Sequence, residues 1–488
     1  MKVKKQSKWI VGLLGLFLWV AVPLGVAAEL KDQPQGLQTF VQKENLTHAG
    51  ISFHAIDLST GETVAAYNED TALIPASTMK VVTSAAALEL LGPDYVFQTK
   101  LFYDGKIDKK GVLKGNLYIQ GMGDPTLGSD GIAREKEAFL EEWLDGMRKE
   151  GIKSVAGDII VLDQLFGYEG VPGKWLWEDF GTDYAAGTYG ISVFDNLYTL
   201  YLKSGSAGTT PVILRTEPAM PKLQFENHTI TSVENNGDPY VRGVPFANKR
   251  SIHGDIPEKQ EAFAIKSDIP DPGLFLAEYF SGYLKENGIK IKGEATTARL
   301  SSQRPKSETL LAVTESVPLS EIVSVLLSRS DNHYAEHLFQ ITQTEKGMTV
   351  SEFWKSKGLN TNPLSMKDGS GLSPQDTVSA RFLTDVLTYM NHENGLSANY
   401  KILFPVAGKD GTVASFLKNT PLDGKAYIKS GSMSGIQSYA GYIEKDGKDY
   451  AFALVVNHWN GSRAELRTYM EKLLIDVFAP AQAVKKPA

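Results

Sequence analysis

The sequence predicts an α/β protein interrupted by a long, mainly β insert. Three observations carry this expectation. A β-hairpin and a helix stand near the start of the chain, several helices and a second β-hairpin stand near its end, and short strands with Gly, Asn and Pro turns fill the stretch between them.

The elements follow in chain order. Ile51 to Leu58 and Thr63 to Tyr67 are apolar-rich runs joined through Ser59-Thr60-Gly61, the pattern of a hairpin. Between Pro75 and Gly92, Met79, Val82, Leu88 and Leu91 recur at near-helical spacing among alanines, with Pro75 just before the start and Gly92 as the stop. This places Ser77 in the first turn of a helix. From 98 to 304 the texture changes: short strands such as Leu117 to Gln120 and Asp158 to Leu162 alternate with turn residues, as in a separate inserted module of one or two subdomains. Its closing helix runs from Pro272 to Asn287, where Phe275, Leu276, Tyr279, Phe280 and Leu284 share one face. From 305 onward helices return over Ser320 to Arg329, Asn332 to Thr342 and Arg381 to Asn391. Ala426 to Lys429, Tyr439 to Ile443 and Tyr450 to Asn457 then read as strands, the last two joined across Asp446-Gly447, a strong hairpin signal. The final helix opens on the capping box Ser462-x-x-Glu465 and carries Leu466, Met470, Leu473, Leu474 and Val477.

Composition narrows the function. A chain of 488 residues with 42% apolar and 22% charged residues is an ordinary globular protein of two or three domains, neither disordered nor a multi-span membrane protein. Lys2, Lys4, Lys5 and Lys8 precede an apolar run from Trp9 to Val22, and Val26-Ala27-Ala28 follow, which is the layout of a signal peptide over residues 1–28; retention as an N-terminal anchor is the alternative. The protein is therefore expected to be exported: extracellular, cell-wall associated or periplasmic. Removing this segment lowers the basic count from 50 to 46 against 57 acidic groups, and the net charge from −7 to −11. Nucleic acid is not an expected partner of so acidic a chain. With no cysteine, disulfides, thiol nucleophiles and a lipoprotein anchor are excluded, so any nucleophile is an oxygen or a nitrogen.

Three short motifs carry chemistry. In Pro75-Ala76-Ser77-Thr78-Met79-Lys80 a hydroxyl and an amine stand one helical turn apart, so Lys80 can serve as base to Ser77 if burial brings its pKa toward neutrality. Ser330-Asp331-Asn332 falls between two predicted helices, where it can either cap a helix or point a hydroxyl and an amide into a cleft. Lys429-Ser430-Gly431 lies on a predicted strand. Each motif has a chance counterpart, at Ser415-Phe416-Leu417-Lys418, Ser397-Ala398-Asn399 and Lys203-Ser204-Gly205, so their order and element context carry the weight. A fourth pattern, His333-x-x-Glu336-His337, matches a zinc-peptidase helix with both imidazoles on one face, and a zinc peptidase using His333 and His337 is the remote alternative.

Taken together, the motifs resemble those of the D-alanyl-D-alanine carboxypeptidase/endopeptidase family of low-molecular-mass penicillin-binding proteins, the class C or penicillin-binding-protein-4 type, peptidase family S13. The resemblance spans nearly the whole chain after the signal segment. It adds Gly121-Met122-Gly123-Asp124-Pro125-Thr126-Leu127, Ala335-Glu336 and Asp368-Gly369-Ser370-Gly371-Leu372-Ser373 to the three motifs, the last of which extends through Ser432. Ser430 stands where the family usually has Thr, keeping the hydroxyl and losing a methyl.

The resemblance implies a transpeptidase/β-lactamase-like domain, an antiparallel sheet flanked by helices, built from 29–97 and 305–488 and split by the insert at 98–304. It implies a serine D-Ala-D-Ala carboxypeptidase or endopeptidase that acts on peptidoglycan stem peptides through an acyl-enzyme, is inhibited covalently by β-lactams, and needs no metal or organic cofactor. Ser77 would attack the carbonyl and Lys80 take its proton. Ser330 would relay a proton to the leaving amine, and Asn332 would hold Lys80 and the substrate amide. Lys429 and Ser430 would bind the terminal carboxylate beside Gly431, and the backbone N–H groups of Ser77 and Ser432 would form the oxyanion hole. A β-lactamase-like hydrolase and a non-catalytic penicillin or wall sensor are the alternatives. The first is disfavoured by the long insert and by the lack of Glu-x-x-Leu-Asn between Asn332 and Lys429.

Overall fold

The two hairpins, nearly four hundred residues apart in the chain, meet in one sheet. The structure is a computed structural model that describes residues 30–234, 238–392 and 400–480; the expected signal peptide and the Ser397-Ala398-Asn399 counterpart lie outside the described residues. The first part of the chain forms α1 (Gln35–Val41), β1 (Gly50–Asp57), β2 (Thr63–Tyr67) and α2 (Met79–Leu91). After a long excursion it continues with α3 (Leu319–Arg329), α4 (Asn332–Lys346), α5 (Ala380–His392), β3 (Ala426–Met433), β4 (Ile436–Lys445), β5 (Lys448–Asn457) and α6 (Arg463–Phe478). Strand order is β2-β1-β5-β4-β3, and every neighbouring pair is antiparallel. At the β4–β5 turn both Asp446 and Gly447 have positive φ, 52° and 76°, as a type I′ turn between right-twisted strands requires.

This sheet is buried on both faces. Phe53, Phe452, Leu454 and Val456 pack on one side with α1 and α6, through Leu37, Phe40, Leu466 and Met470. Ala440, Tyr442, Ala451, Ala453 and Val455 face the other side, against α2, α3, α4 and α5. Double burial explains why Tyr439 to Ile443 in β4 and Tyr450 to Val456 in β5 carry no alternating polar positions. Helix α2 lies at the centre of that second layer, buried at every position from Met79 to Leu88, so no face of it meets solvent along that stretch, and its polar residues Lys80, Thr83 and Ser84 find partners inside the protein. The α-helix begins at Met79. Ser77 sits just ahead of it, in a single 3₁₀ turn (Ala76–Thr78) instead of the first α-helical turn expected, because Ala76 takes a left-handed backbone (φ 47°) that an α-helix cannot contain.

The excursion builds its own core. Ala295–Thr297, Ile159–Leu162, Leu117–Gly121, Gln98–Tyr103 and Thr309–Glu315 form a second five-stranded sheet, in that order. Two helices, Ala138–Lys149 and Pro272–Glu286, pack against it, with the Trp143 indole between them and donating to Thr314 Oγ1 at 2.9 Å. The second of these is the expected closing helix, capped by Asp271, whose side chain accepts from Leu274 N. Thr309–Glu315 lies beyond the expected boundary at 304, yet it pairs along its length with Gln98–Tyr103. The inserted sheet thus uses strands from both sides of that boundary. Of the capping box at α6 only one half forms: Ser462 Oγ accepts from Glu465 N, while the Glu465 carboxylate turns to Tyr469 Oη. Among the described residues no helix is long and apolar enough to cross a membrane.

Candidate active site

The 3₁₀ turn carrying Ser77 is held against the edge strand β3. Ser438 Oγ on β4 and Thr78 Oγ1 both donate to Pro75 O, at 2.5 and 2.8 Å, fixing the turn where strand and helix meet. Gly431 makes this approach possible: a Cβ there would lie 2.3 Å from Ser438 Oγ, 2.6 Å from Pro75 O and 2.9 Å from Ser77 N. On the other side Gly371, with φ 80°, passes so close to Ala76 that a Cβ would overlap its carbonyl oxygen. Ser77 is therefore clamped between two glycine-bearing segments.

Lys80, one helical turn on, is fully buried and makes three polar contacts. Its Nζ lies 2.9 Å from Ser77 Oγ, 2.6 Å from Asn332 Oδ1 and 2.7 Å from Ser370 O. The Asn332 Nδ2 donates to Tyr184 O at 2.8 Å, so the amide's orientation is fixed at both ends. Burial lowers the Lys80 pKa to about 8, against the opposing pull of Asp368, Glu336, Asp331 and Asp376. The two carbonyl-type oxygens can only accept. When the amine is neutral its two hydrogens go to them, and its lone pair is left facing the Ser77 hydroxyl.

Ser330 is the C-cap of α3 in the left-handed region, φ 60° and ψ 39°, a conformation costly for a non-glycine residue. That backbone aims its Oγ at Lys429 Nζ, 2.8 Å away. Asp331, the middle residue of the motif, is the helix cap, accepting from Tyr334 N at 3.0 Å, so the capping role and the cleft-facing role fall to different residues. Lys429 is also fully buried, donating to Ser330 Oγ and to Ser430 O at 2.6 Å; burial first, then the nearby Lys80 charge, holds its pKa well below the ordinary lysine value. Ser430 Oγ lies 2.7 Å from Thr412 Oγ1, and Ser432 is exposed at the strand end. Ser77, Ser330, Asn332 and Ser432 line a cleft of about 500 Å³, which the insert completes with Leu176, Asp179 and Tyr184. All eight expected site residues thus gather around one cleft and the two buried lysines behind it.

The alternative motifs do not gather. Lys203 forms an exposed ion pair with Glu261, and Ser415 accepts from Arg467 at the surface. His333 and His337 are buried with ring centroids 4.3 Å apart, and burial holds both imidazoles neutral. His337 spends its nitrogens on Ser192 Oγ and His333 O, while Glu336 Oε1 accepts from Gly369 N and Ser370 N. Among the described residues no group of three or more His, Cys, Asp or Glu is arranged to hold a metal ion.

Several residues around the cleft escape sequence reasoning. Thr412, Tyr184 and Trp175 belong to no motif, and their partners are between 18 and 193 positions away in the chain. Glu336 and Asp368 were visible as members of motifs, but not their task. Together they accept the backbone N–H groups of 369, 370, 371 and 373 and so shape the loop that presents Ser370 O to Lys80.

Comparison with known proteins places the chain among D-Ala-D-Ala carboxypeptidases in sequence and fold. A family model described as the D-Ala-D-Ala carboxypeptidase 3 (S13) family matches residues 33–477. A D-alanyl-D-alanine carboxypeptidase from an Actinomadura species is 27% identical over 454 residues, covering 89% of this chain and 82% of the relative. The crystal structure of penicillin binding protein 4 from Haemophilus influenzae superposes with a TM-score of 0.77 at 23% identity, covering 93% of this chain and 99% of that one; a second structure of it, complexed with a β-lactam, gives 0.71.

Proposed function

The chain belongs to the D-Ala-D-Ala carboxypeptidase 3 (S13) family, and we propose that it hydrolyses peptidoglycan peptides ending in D-Ala-D-Ala, or cross-links between them, through an acyl-enzyme on Ser77. The observation that carries this is the Lys80 amine, buried, held by two obligate acceptors, and 2.9 Å from a hydroxyl at the cleft. Ser77 Oγ attacks the carbonyl carbon of the penultimate D-Ala as its proton passes to Lys80. The oxyanion is held by the N–H groups of Ser77 and Ser432, and the absence of a side chain at Gly431 lets the strand that carries Ser432 lie against Ser77 N. Ser330, hydrogen-bonded to Lys429, relays to the departing amine the proton that Lys80 took from Ser77, so Ser330 keeps its hydroxyl and Lys80 is neutral again when water attacks. Lys429 and Ser430 take the terminal carboxylate. Water then attacks the ester and frees Ser77. Asn332 binds the substrate amide as well as Lys80. The catalytic part corresponds to 29–97 and 305–488, less the strand Thr309–Glu315, which the inserted sheet claims. The expected signal segment and the family both favour work outside the cytoplasmic membrane.

A β-lactam presents a strained amide in place of the D-Ala-D-Ala bond, and a relative's structure with a bound β-lactam makes it the natural probe. Incubation of the protein with a β-lactam is expected to add one mass equivalent, mapping to the peptide that contains Ser77. An adduct elsewhere, such as at Ser415, or a folded protein that takes up none, would sink the assignment. Gly431→Ala tests the oxyanion geometry separately. Its Cβ would meet backbone at 2.6 and 2.9 Å, so strand and turn must part, and acylation is expected to fall about a hundredfold, the scale of losing one oxyanion donor. Acylation within threefold of wild type would show that the approach is not needed.

A further inference from the structure

The insert does more than wall the cleft. Two of the three contacts of Lys80 Nζ are with Asn332 Oδ1 and Ser370 O, and each of these acceptors is tied to the same short stretch of the insert. Asn332 gives its Nδ2 hydrogen to Tyr184 O. Ser370 belongs to the loop wrapped around the buried Asp368, whose Oδ1 accepts from Ser370 N and Gly371 N and whose Oδ2 accepts from Ser373 N and, at 2.7 Å, from the indole Nε1 of Trp175. Trp175 is itself buried, so its donor bond is made in a dry setting. Asp179 holds the two anchor points together: its carboxylate accepts from Leu176 N at 2.9 Å and from Tyr184 Oη at 3.2 Å, and its carbonyl from Thr182 Oγ1 at 2.6 Å.

We infer that Trp175 is a positioning residue for Lys80: through Asp368 it fixes the loop carbonyl that, with the Tyr184-tethered amide of Asn332, aims the amine's lone pair at Ser77. This rests on the assignment of Lys80 as the base. It gives the insert a part in acyl transfer itself, which no spacing in the sequence indicates.

The sign of the effect follows from charge. The groups facing Lys80 are Glu336 and Asp331 on the N-terminal side of α4, Asp368 and Asp376 on the loop, and Lys429 on β3. Removing the indole hydrogen leaves the Asp368 carboxylate less compensated, which stabilises the Lys80 ammonium and raises the pH at which the amine becomes free. In Trp175→Phe, the acidic limb of the β-lactam acylation rate against pH is expected to move up by about half to one unit, so the rate at pH 7 falls roughly three- to tenfold while the alkaline plateau stays within about twofold of wild type.

Site-specific incorporation of 3-benzothienylalanine at 175 provides a second variant, which replaces N–H by sulfur at the same shape and keeps the packing even if the phenylalanine variant folds poorly. An upward shift in either folded variant supports the inference. An unmoved limb, with or without a uniform loss of rate, overturns it. The underlying assignment fails in a different way: if Lys80→Met acylates at the wild-type rate, Lys80 is not the base, whatever Trp175 does.

Discussion

Lys80→Met is expected to slow β-lactam acylation and peptide turnover by about a thousandfold or more, while the protein stays folded. Methionine fills a similar volume in the buried centre of the second layer but offers no lone pair to the Ser77 proton, and general-base assistance of this kind contributes roughly 10²- to 10⁴-fold. The wild-type pH dependence supplies the companion test. An ammonium has no lone pair, so only the neutral fraction of Lys80 is active, and acylation should rise with pH through a midpoint near 8. With an ordinary lysine pKa of 10.5 the neutral fraction at pH 7 would be about one in 3,000; near 8 it is about one in ten, so burial supplies a factor of roughly 300. Stopped-flow acylation with a chromogenic β-lactam between pH 6 and 9.5 reads both effects. A methionine variant that reacts at near wild-type speed, or a wild-type midpoint near 6, would assign the proton to another group.

Motif chemistry was legible in the sequence because it is local or lies at element ends. Ser77 and Lys80 are one turn apart, Ser330 and Asn332 flank a cap, and Lys429 to Ser432 lie along one strand, so residue type and spacing point to the geometry that forms. The Asp446-Gly447 turn was legible for the same reason. What pairs at long range was not. Thr309–Glu315 has the composition of a strand in either domain, and only its partner Gln98–Tyr103 assigns it to the inserted sheet. Helix Ala138–Lys149 carries Phe139, Leu140, Trp143, Leu144 and Met147 at helical spacing, yet it stands amid turn-rich sequence whose texture suggested strands. The 3₁₀ turn at Ser77 likewise follows from tertiary demands: strand β3 and the Gly371 loop close on it from two sides, and the Ala76 backbone adapts.

Lys429→Ala is expected to cost about ten- to a hundredfold in turnover of peptides with a free terminal carboxylate, and to abolish the enzyme's preference for the free acid over its C-terminal amide. A desolvated, charge-assisted hydrogen bond contributes roughly 1.5 to 3 kcal/mol, which converts to that range. The structure sharpens the expectation in two respects. Lys429 Nζ already donates to Ser330 Oγ and Ser430 O, so one ammonium hydrogen remains for the substrate, and its loss also releases the Ser330 hydroxyl. Burial and the Lys80 charge hold its pKa well below the ordinary lysine value, and an arriving carboxylate favours the protonated form, so the free acid gains from this contact what the amide cannot. Turnover of acid and amide substrates by wild type and variant forms a double-mutant cycle on the single contact. Lys203→Ala, which removes only an exposed partner of Glu261, should turn over acid and amide at the wild-type rates. If the Lys429 variant still favours the free acid as strongly as wild type, the carboxylate is held elsewhere, and the Ser430–Thr412 hydroxyl pair beside it becomes the next group to remove.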